Sequence, residues 1–126
     1  MRVVLMSERP ALRDALYLFL RGNGIEVVGD VADASHLSAR SSALGPDVVL
    51  VDWRPSDAAS AKTLIDAIAE LKQGDASPRI IALIASGGST QAHAAGVDAH
   101  TTLGDRPEDL LTLLTGTTQT YGSLAH

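Results

Sequence analysis

A carboxylate stands at the end of a short, wholly apolar run. Asp52 directly follows residues 48–51, which are valine and leucine only. Such a run is too short for a helix and has no polar alternation, so it is typical of a strand buried on both faces of a parallel sheet. Ligands and chemistry lie at the carboxyl ends of such strands. Asp52 is therefore a candidate functional carboxylate, with the alternative that it only begins a loop or caps the next helix.

Glu8 is a second carboxylate in a comparable place, because it follows the strand candidate at residues 2–6. If the two strands are neighbours, Glu8 and Asp52 converge at one edge of the sheet. Two carboxylates, a backbone carbonyl and water form the ligand set that Mg²⁺ prefers, and the metal would let a phosphate approach. Alternatively, Glu8 caps the first helix or pairs in solvent with Arg9 or Arg54.

The rest of the chain alternates between strand-like apolar runs and segments with helical periodicity, separated by glycine and proline. The predicted strands are residues 2–6, 25–28, 48–51, 80–84 and 99–103. The predicted helices are residues 10–22, a weaker one from a cap at Asp33 or Ser35 to about 43, 61–71, 90–95 and 107–114. This alternation predicts an α/β fold, a doubly wound five-stranded parallel sheet of the flavodoxin-like (βα)5 type in strand order 2-1-3-4-5. Strands one and three are then neighbours.

Composition limits the function classes. With 126 residues, 45% hydrophobic and 20% charged, the chain predicts one globular domain at 1–115, and 116–126 as a tail or the start of a linker. The absence of cysteine excludes disulfides, thiolate metal sites and cysteine catalysis. A net charge of −5 argues against nucleic-acid binding. No apolar run matches a signal peptide or a membrane span, so we expect a cytoplasmic protein without membrane partners.

Five segments carry a resemblance to a known family: residues 3–10 (VVLMSERP), 25–29 (IEVVG), 46–52 (PDVVLVD), 78–83 (PRIIAL) and 95–97 (AGV). In this order and spacing they resemble the receiver domains of bacterial response regulators, in particular the NarL/FixJ type. The resemblance covers residue 2 to about 114. It implies that Asp52 accepts a phosphoryl group, that Glu8 and Asp52 bind Mg²⁺ with the backbone carbonyl of Arg54, and that a lysine neutralises the developing charge.

Partners also follow from the resemblance. It implies a homodimer and a sensor histidine kinase or another signalling protein. DNA would be bound only through a separate LuxR-type effector domain. The family's dimer surface often includes the fourth and fifth helices and the last strands, where His100 occupies the position of the aromatic switch residue.

The chain departs from the family at most other pocket positions. Ser7 stands where the family usually has a second acid before Glu8. Ile84 takes the place of the switch Thr or Ser, although Ser86 would face the same way in an extended strand and could replace it. Leu103 takes the place of the lysine. Loss of one such stabiliser of transition-state charge typically costs ~10²–10³ in rate, and loss of the switch hydroxyl removes the contact that would favour an active conformation.

Two further residue types are interpreted as structural. His93, His100 and His126 show no ligand-like spacing, so solvent-facing side chains are expected. Trp53 either packs against its surroundings or gates the pocket.

Our main hypothesis is an atypical receiver domain, or pseudo-receiver, which is not an enzyme. It would regulate transcription through dimerisation, a partner or a ligand. One alternative is a working phosphoacceptor of a two-component system, using Asp52, Glu8 and Mg²⁺ with Ser86 compensating. The other is a flavodoxin-like small-molecule-binding domain with its ligand near Ser7, Trp53 and Gly87.

Overall fold

Five parallel strands form one sheet in this chain. The computed structural model describes residues 1–55, 57–74, 77–84, 89–102 and 106–115. The strand order is β2-β1-β3-β4-β5 and every pairing is parallel. This confirms the predicted fold class and strand order. The strands are β1 (Arg2–Met6), β2 (Glu26–Val31), β3 (Val48–Trp53), β4 (Arg79–Ile84) and β5 (Ala99–Thr102).

Helices connect the strands. Pro10 is the first residue of the first helix, as its fixed φ favours, and Gly24, with φ +79°, turns the chain back into β2. Among the described residues, no helix is both long and apolar enough to cross a bilayer. The helices are α1 (Pro10–Gly22), α2 (Leu37–Leu44) after a 3₁₀ turn (Ala34–His36), α3 (Ala58–Gln73), α4 (Ser89–Ala95) and α5 (Pro107–Thr115).

Several predicted boundaries are wrong, among them the end of β2, which is Val31 instead of residue 28. Two others have a clear physical reason. The prediction placed residues 56–60 in a loop, but α3 begins at Ala58 because the Asp57 carboxylate caps it, accepting a hydrogen bond from the Ser60 backbone N–H at 2.8 Å. The prediction ended the central strand at residue 51, but β3 continues to Trp53, and Asp52 pairs with Leu83 of β4.

The core lies in two layers, one on each face of the sheet. Residues 49, 51 and 53 of β3 pack towards α2, α3 and α4, whereas residues 48 and 50 pack towards α1 and α5. Because side chains alternate along a strand, Asp52 is on the α1 and α5 side and Trp53 is on the opposite side. All six residues of β3 are buried, so Asp52 is a carboxylate built into the central strand.

Candidate functional site

A guanidinium group neutralises the buried Asp52 carboxylate. Arg9 Nε donates to Asp52 Oδ2 at 3.0 Å, and Arg9 Nη2 donates to Asp52 Oδ1 at 2.9 Å. The Asp52 side chain is 4% exposed and that of Arg9 is 39% exposed. This two-pronged geometry is the strong form of an arginine–carboxylate pair, because two charge-assisted hydrogen bonds fix the planes of both groups.

Ser7 completes the environment of the carboxylate. It is the residue after β1, and since β1 pairs with β3 as Met6 with Val51, the residues that follow each strand are adjacent. Ser7 Oγ donates to Asp52 Oδ2 at 2.8 Å and accepts from the Arg9 backbone N–H at 3.0 Å. Its backbone carbonyl accepts from Arg13 Nη1 at 2.6 Å. Ser7 is therefore a buried link that holds Arg9 and Asp52 in register.

Glu8 is at the rim of the same site. Glu8, Arg9, Asp52 and Arg54 line a cavity of about 180 Å³. The Glu8 side chain is exposed, and none of the ion pairs among the described residues includes it. The N-cap residue of α1 is Arg9, directly before Pro10, and no side chain caps that helix. Both structural alternatives considered for Glu8, a helix cap and a pair with Arg9 or Arg54, are therefore wrong.

The donor set does not fit Mg²⁺ as it is arranged. Both Asp52 oxygens accept hydrogen bonds from Arg9, and a cation that bound there would meet a fixed positive charge. Glu8 alone remains as a free carboxylate, and Arg54 contributes here a backbone N–H that donates to the Asp52 carbonyl at 3.1 Å. Within the described ranges, no three acidic or histidine side chains are grouped to hold a metal.

The positions that depart from the receiver pattern fall in different places. Ile84 ends β4, is 3% exposed and belongs to the core layer of α3 and α4, so it presents no hydroxyl to the site. Ser86 and Leu103 lie outside the described residues, and so do 116–126. The chain has two lysines, and both pair elsewhere: Lys62 with Asp66 on α3, and Lys72 with Asp98 before β5.

His100 does not point alone into solvent. The ring of His93, on α4, contacts it, with His93 Nε2 and His100 Nδ1 2.7 Å apart. Both side chains are exposed, as expected, but the sequence spacing did not predict their contact, because α4 and β5 bring together residues that lie apart in the sequence. Trp53 is 3% exposed in the core, and its Nε1 donates to Gln91 Oε1 at 3.3 Å.

Arg9 is the site residue that sequence reasoning missed as a partner of Asp52. A signal for it existed. Arg9 comes three residues after β1, and the order 2-1-3-4-5 predicts that this segment lies beside the end of β3. A long cation placed there can reach a carboxylate at the end of β3 as well as the neighbouring Glu8.

Comparisons with known proteins identify the fold. No protein-family model matches the chain, and no curated protein does. Solved structures do. A two-component response regulator of the LuxR family from Aurantimonas sp. SI85-9A1 is 24% identical, with a TM-score of 0.76 over 94% of this chain and 85% of that one.

Two other solved structures agree. A DNA-binding response regulator of the LuxR family from Staphylococcus aureus is 18% identical, with a TM-score of 0.76 over 91% of this chain and 96% of that one. The isolated REC domain of RcsB from Salmonella enterica serovar Typhimurium, in the presence of the phosphomimetic BeF3−, is 20% identical, with a TM-score of 0.76 over 94% and 88%. The chain therefore has the fold of response-regulator receiver domains, as the sequence resemblance implied.

Proposed function

We propose that this chain is an atypical receiver domain in which Arg9 occupies the carboxylate that ordinary receivers use for Mg²⁺ and phosphoryl transfer. The observation that supports it is the two-pronged pair between Arg9 and Asp52. In this proposal the chain acts in signalling, most simply in the control of transcription.

The pair opposes phosphorylation of Asp52 in two ways. A carboxylate that attacks phosphorus must be reached by the phosphoryl group, whereas the Asp52 side chain is 4% exposed and accepts three hydrogen bonds from Arg9 and Ser7. Charge stabilisation is also incomplete, because phosphoryl transfer depends on metal and lysine-type cations around the phosphate oxygens. Both lysines of the chain form ion pairs with other carboxylates.

The same pair gives Asp52 a structural role. It joins the segment before α1 to the central strand without a metal, and Ser7 reinforces it. Regulation in this proposal comes from dimerisation, a protein partner or a ligand instead of a phosphorylation switch. The domain is residues 1–115, with 116–126 as a tail or the start of a linker to an effector domain. Kinase or DNA contacts would belong to such partners or domains.

The test is phosphorylation by a small donor. The purified chain is incubated with acetyl phosphate, with Mg²⁺ in one arm and EDTA in the other, and the intact mass and oligomeric state are measured. Asp52→Ala is the control for the site of attachment. We expect no adduct and the same oligomer in all samples. An adduct that requires Asp52 and changes the oligomer would show an ordinary phosphoacceptor and overturn the proposal.

A variant designed to gain Mg²⁺ binding tests whether Arg9, and not another feature of the chain, keeps the metal from Asp52. Ser7→Asp combined with Arg9→Ala restores a second acid beside Glu8 and removes the guanidinium. We expect this variant to bind Mg²⁺ in a calorimetric titration, whereas the wild type shows no saturable binding. Wild-type binding as strong as that of the variant would mean that Arg9 does not keep the metal away.

A further inference from the structure

Two histidine rings meet on the surface formed by α4 and β5. His93 Nε2 and His100 Nδ1 are 2.7 Å apart, and the ring centroids are 4.9 Å apart with the planes at 77°. Both residues are exposed. A hydrogen bond between two imidazoles requires that one nitrogen donates its proton and that the other accepts it with its lone pair. When the donating ring releases the shared proton to water and takes up a proton on its other nitrogen, both imidazoles stay neutral and two nitrogen lone pairs converge on one point.

We propose that His93 and His100 chelate a divalent transition metal of the Zn²⁺, Ni²⁺ and Cu²⁺ class, which replaces the shared proton. Imidazole nitrogen is the side-chain ligand that suits these ions. In a tetrahedral site with bonds of about 2.0–2.1 Å, two nitrogens stand about 3.3 Å apart. The present separation of 2.7 Å therefore has to increase by about 0.6 Å, which small rotations of two exposed side chains supply.

The ligand set selects the class of ion. In the part of the chain that the structure describes, no third histidine or carboxylate joins the pair into a metal-holding cluster. The pair supplies two nitrogen ligands and water supplies the rest. Mg²⁺ and Ca²⁺ prefer oxygen ligands and gain little from two imidazoles. Affinity therefore follows the usual order for first-row ions, with Cu²⁺ above Ni²⁺ and Zn²⁺.

Metal binding at this pair would connect two elements of the fold. His93 is on α4, a helix of seven residues, and His100 is on β5, the edge strand next to β4. The chelate therefore ties a short helix to the sheet. Asp52 is on β3, and β4 lies between β3 and β5. The hydrogen bonds of Asp52 are made with Arg9 and Ser7 and not with either histidine, so the metal site does not depend on the function proposed for Asp52.

The test is a metal titration of the untagged chain with Zn²⁺ and Cu²⁺, with bound metal counted after equilibrium dialysis. The variants are His93→Ala and His100→Ala, and the matched controls are His36→Ala and His126→Ala, which remove the other two histidines. We expect about one equivalent of metal in the wild type and both controls, and loss of that equivalent in each of the two variants. Histidine ¹⁵N spectra should show metal on Nε2 of His93 and Nδ1 of His100.

Other outcomes are equally decisive. Half an equivalent that still requires both histidines supports the site, with a second chain completing it. Binding that survives both substitutions, binding that depends on His36 or His126, or no binding to saturating Cu²⁺ overturns the proposal. His93→Gln and His100→Gln provide second variants. The melting temperature of each variant is measured in EDTA and should equal that of the wild type, since both histidines are exposed. Equal melting temperatures exclude misfolding as the cause of lost metal binding.

Discussion

The ends of β1 and β3 and the surface of α4 and β5 use their polar side chains in opposite ways. At the strand ends, the Asp52 carboxylate is 4% exposed and accepts three hydrogen bonds from Arg9 and Ser7. On the other surface, His93 and His100 are exposed and share one hydrogen bond. The first group is satisfied by the chain itself, whereas the second is exposed and is the site for which we propose an external ligand.

This difference separates stability from responsiveness. A buried charge pair is costly to break, because removal of one partner leaves the other uncompensated. An exposed pair contributes little to folding, so its occupancy can change without unfolding the domain. Under the two proposals above, Asp52 stabilises the fold, and His93 and His100 at the edge of the sheet respond to a ligand.

The largest effect should come from Arg9→Ala. It leaves the buried Asp52 carboxylate without a cation, and because Arg9 is partly exposed the expected loss is about 2–3 kcal/mol of unfolding free energy. Urea unfolding followed by circular dichroism measures it. Arg9→Ala with Asp52→Ala should recover much of the loss, since no unpaired charge remains. If Arg9→Ala alone is as stable as the wild type, the Arg9 and Asp52 pair contributes as little to folding as an exposed pair does, and the contrast between the two regions fails.

A smaller effect is expected from Gln91→Ala. It removes the acceptor for the Trp53 indole N–H at 3.3 Å, which should cost about 1 kcal/mol. Hydrogen exchange of the α4 amides should become faster while that of β1 and β3 stays unchanged. Gln91→Glu keeps an acceptor and serves as the control. Equal acceleration in β3 would show that α4 and the Asp52 site are coupled.

The smallest expected effect is a loss of stability at low pH through the Asp57 carboxylate, which caps α3. The hydrogen bond from the Ser60 backbone N–H lowers the pKa of Asp57 from its usual value. A lowered pKa stabilises the fold above the unfolded value of about 3.9, and this contribution is lost as the pH falls through the lower folded value. Asp57→Asn keeps an acceptor at the cap but does not titrate.

The difference in melting temperature between the wild type and Asp57→Asn should therefore narrow between pH 6 and pH 3. Asp33→Asn should behave in the same way, because a backbone hydrogen bond from Ser35 lowers the pKa of Asp33. A difference that stays constant or widens towards pH 3 would contradict the assignment.

The strand order and the adjacency of Ser7 and Asp52 were predictable, because short apolar runs and glycine or proline breaks are local signals. The start of α3 was not, since residues 56–60 (SDAAS) suit a loop as well as a capped helix. Only the position of the Asp57 side chain against Ser60 decides between them.

The two side-chain pairs were harder to predict for a different reason. Arg9 and Asp52 are 43 residues apart, and the choice between Asp52 and Glu8 as the partner depends on the direction of a long side chain. His93 and His100 are seven residues apart and become neighbours only when α4 packs beside β5. Neither contact is indicated by a helical or strand periodicity in the sequence, because each depends on the tertiary packing of separate elements.

Trp53 has an optical consequence. It is the only tryptophan in the chain, it is 3% exposed, and its indole contacts Gln91 of α4 while its backbone neighbour is Asp52. Excitation at the long-wavelength edge of the indole band, where the two tyrosines absorb little, therefore addresses a single fluorophore that lies on β3 and contacts α4. Its emission wavelength reports, without any label, whether α4 is packed against the indole. A red shift on addition of a partner would mean that the indole has become exposed to water, as expected if α4 moves away from β3.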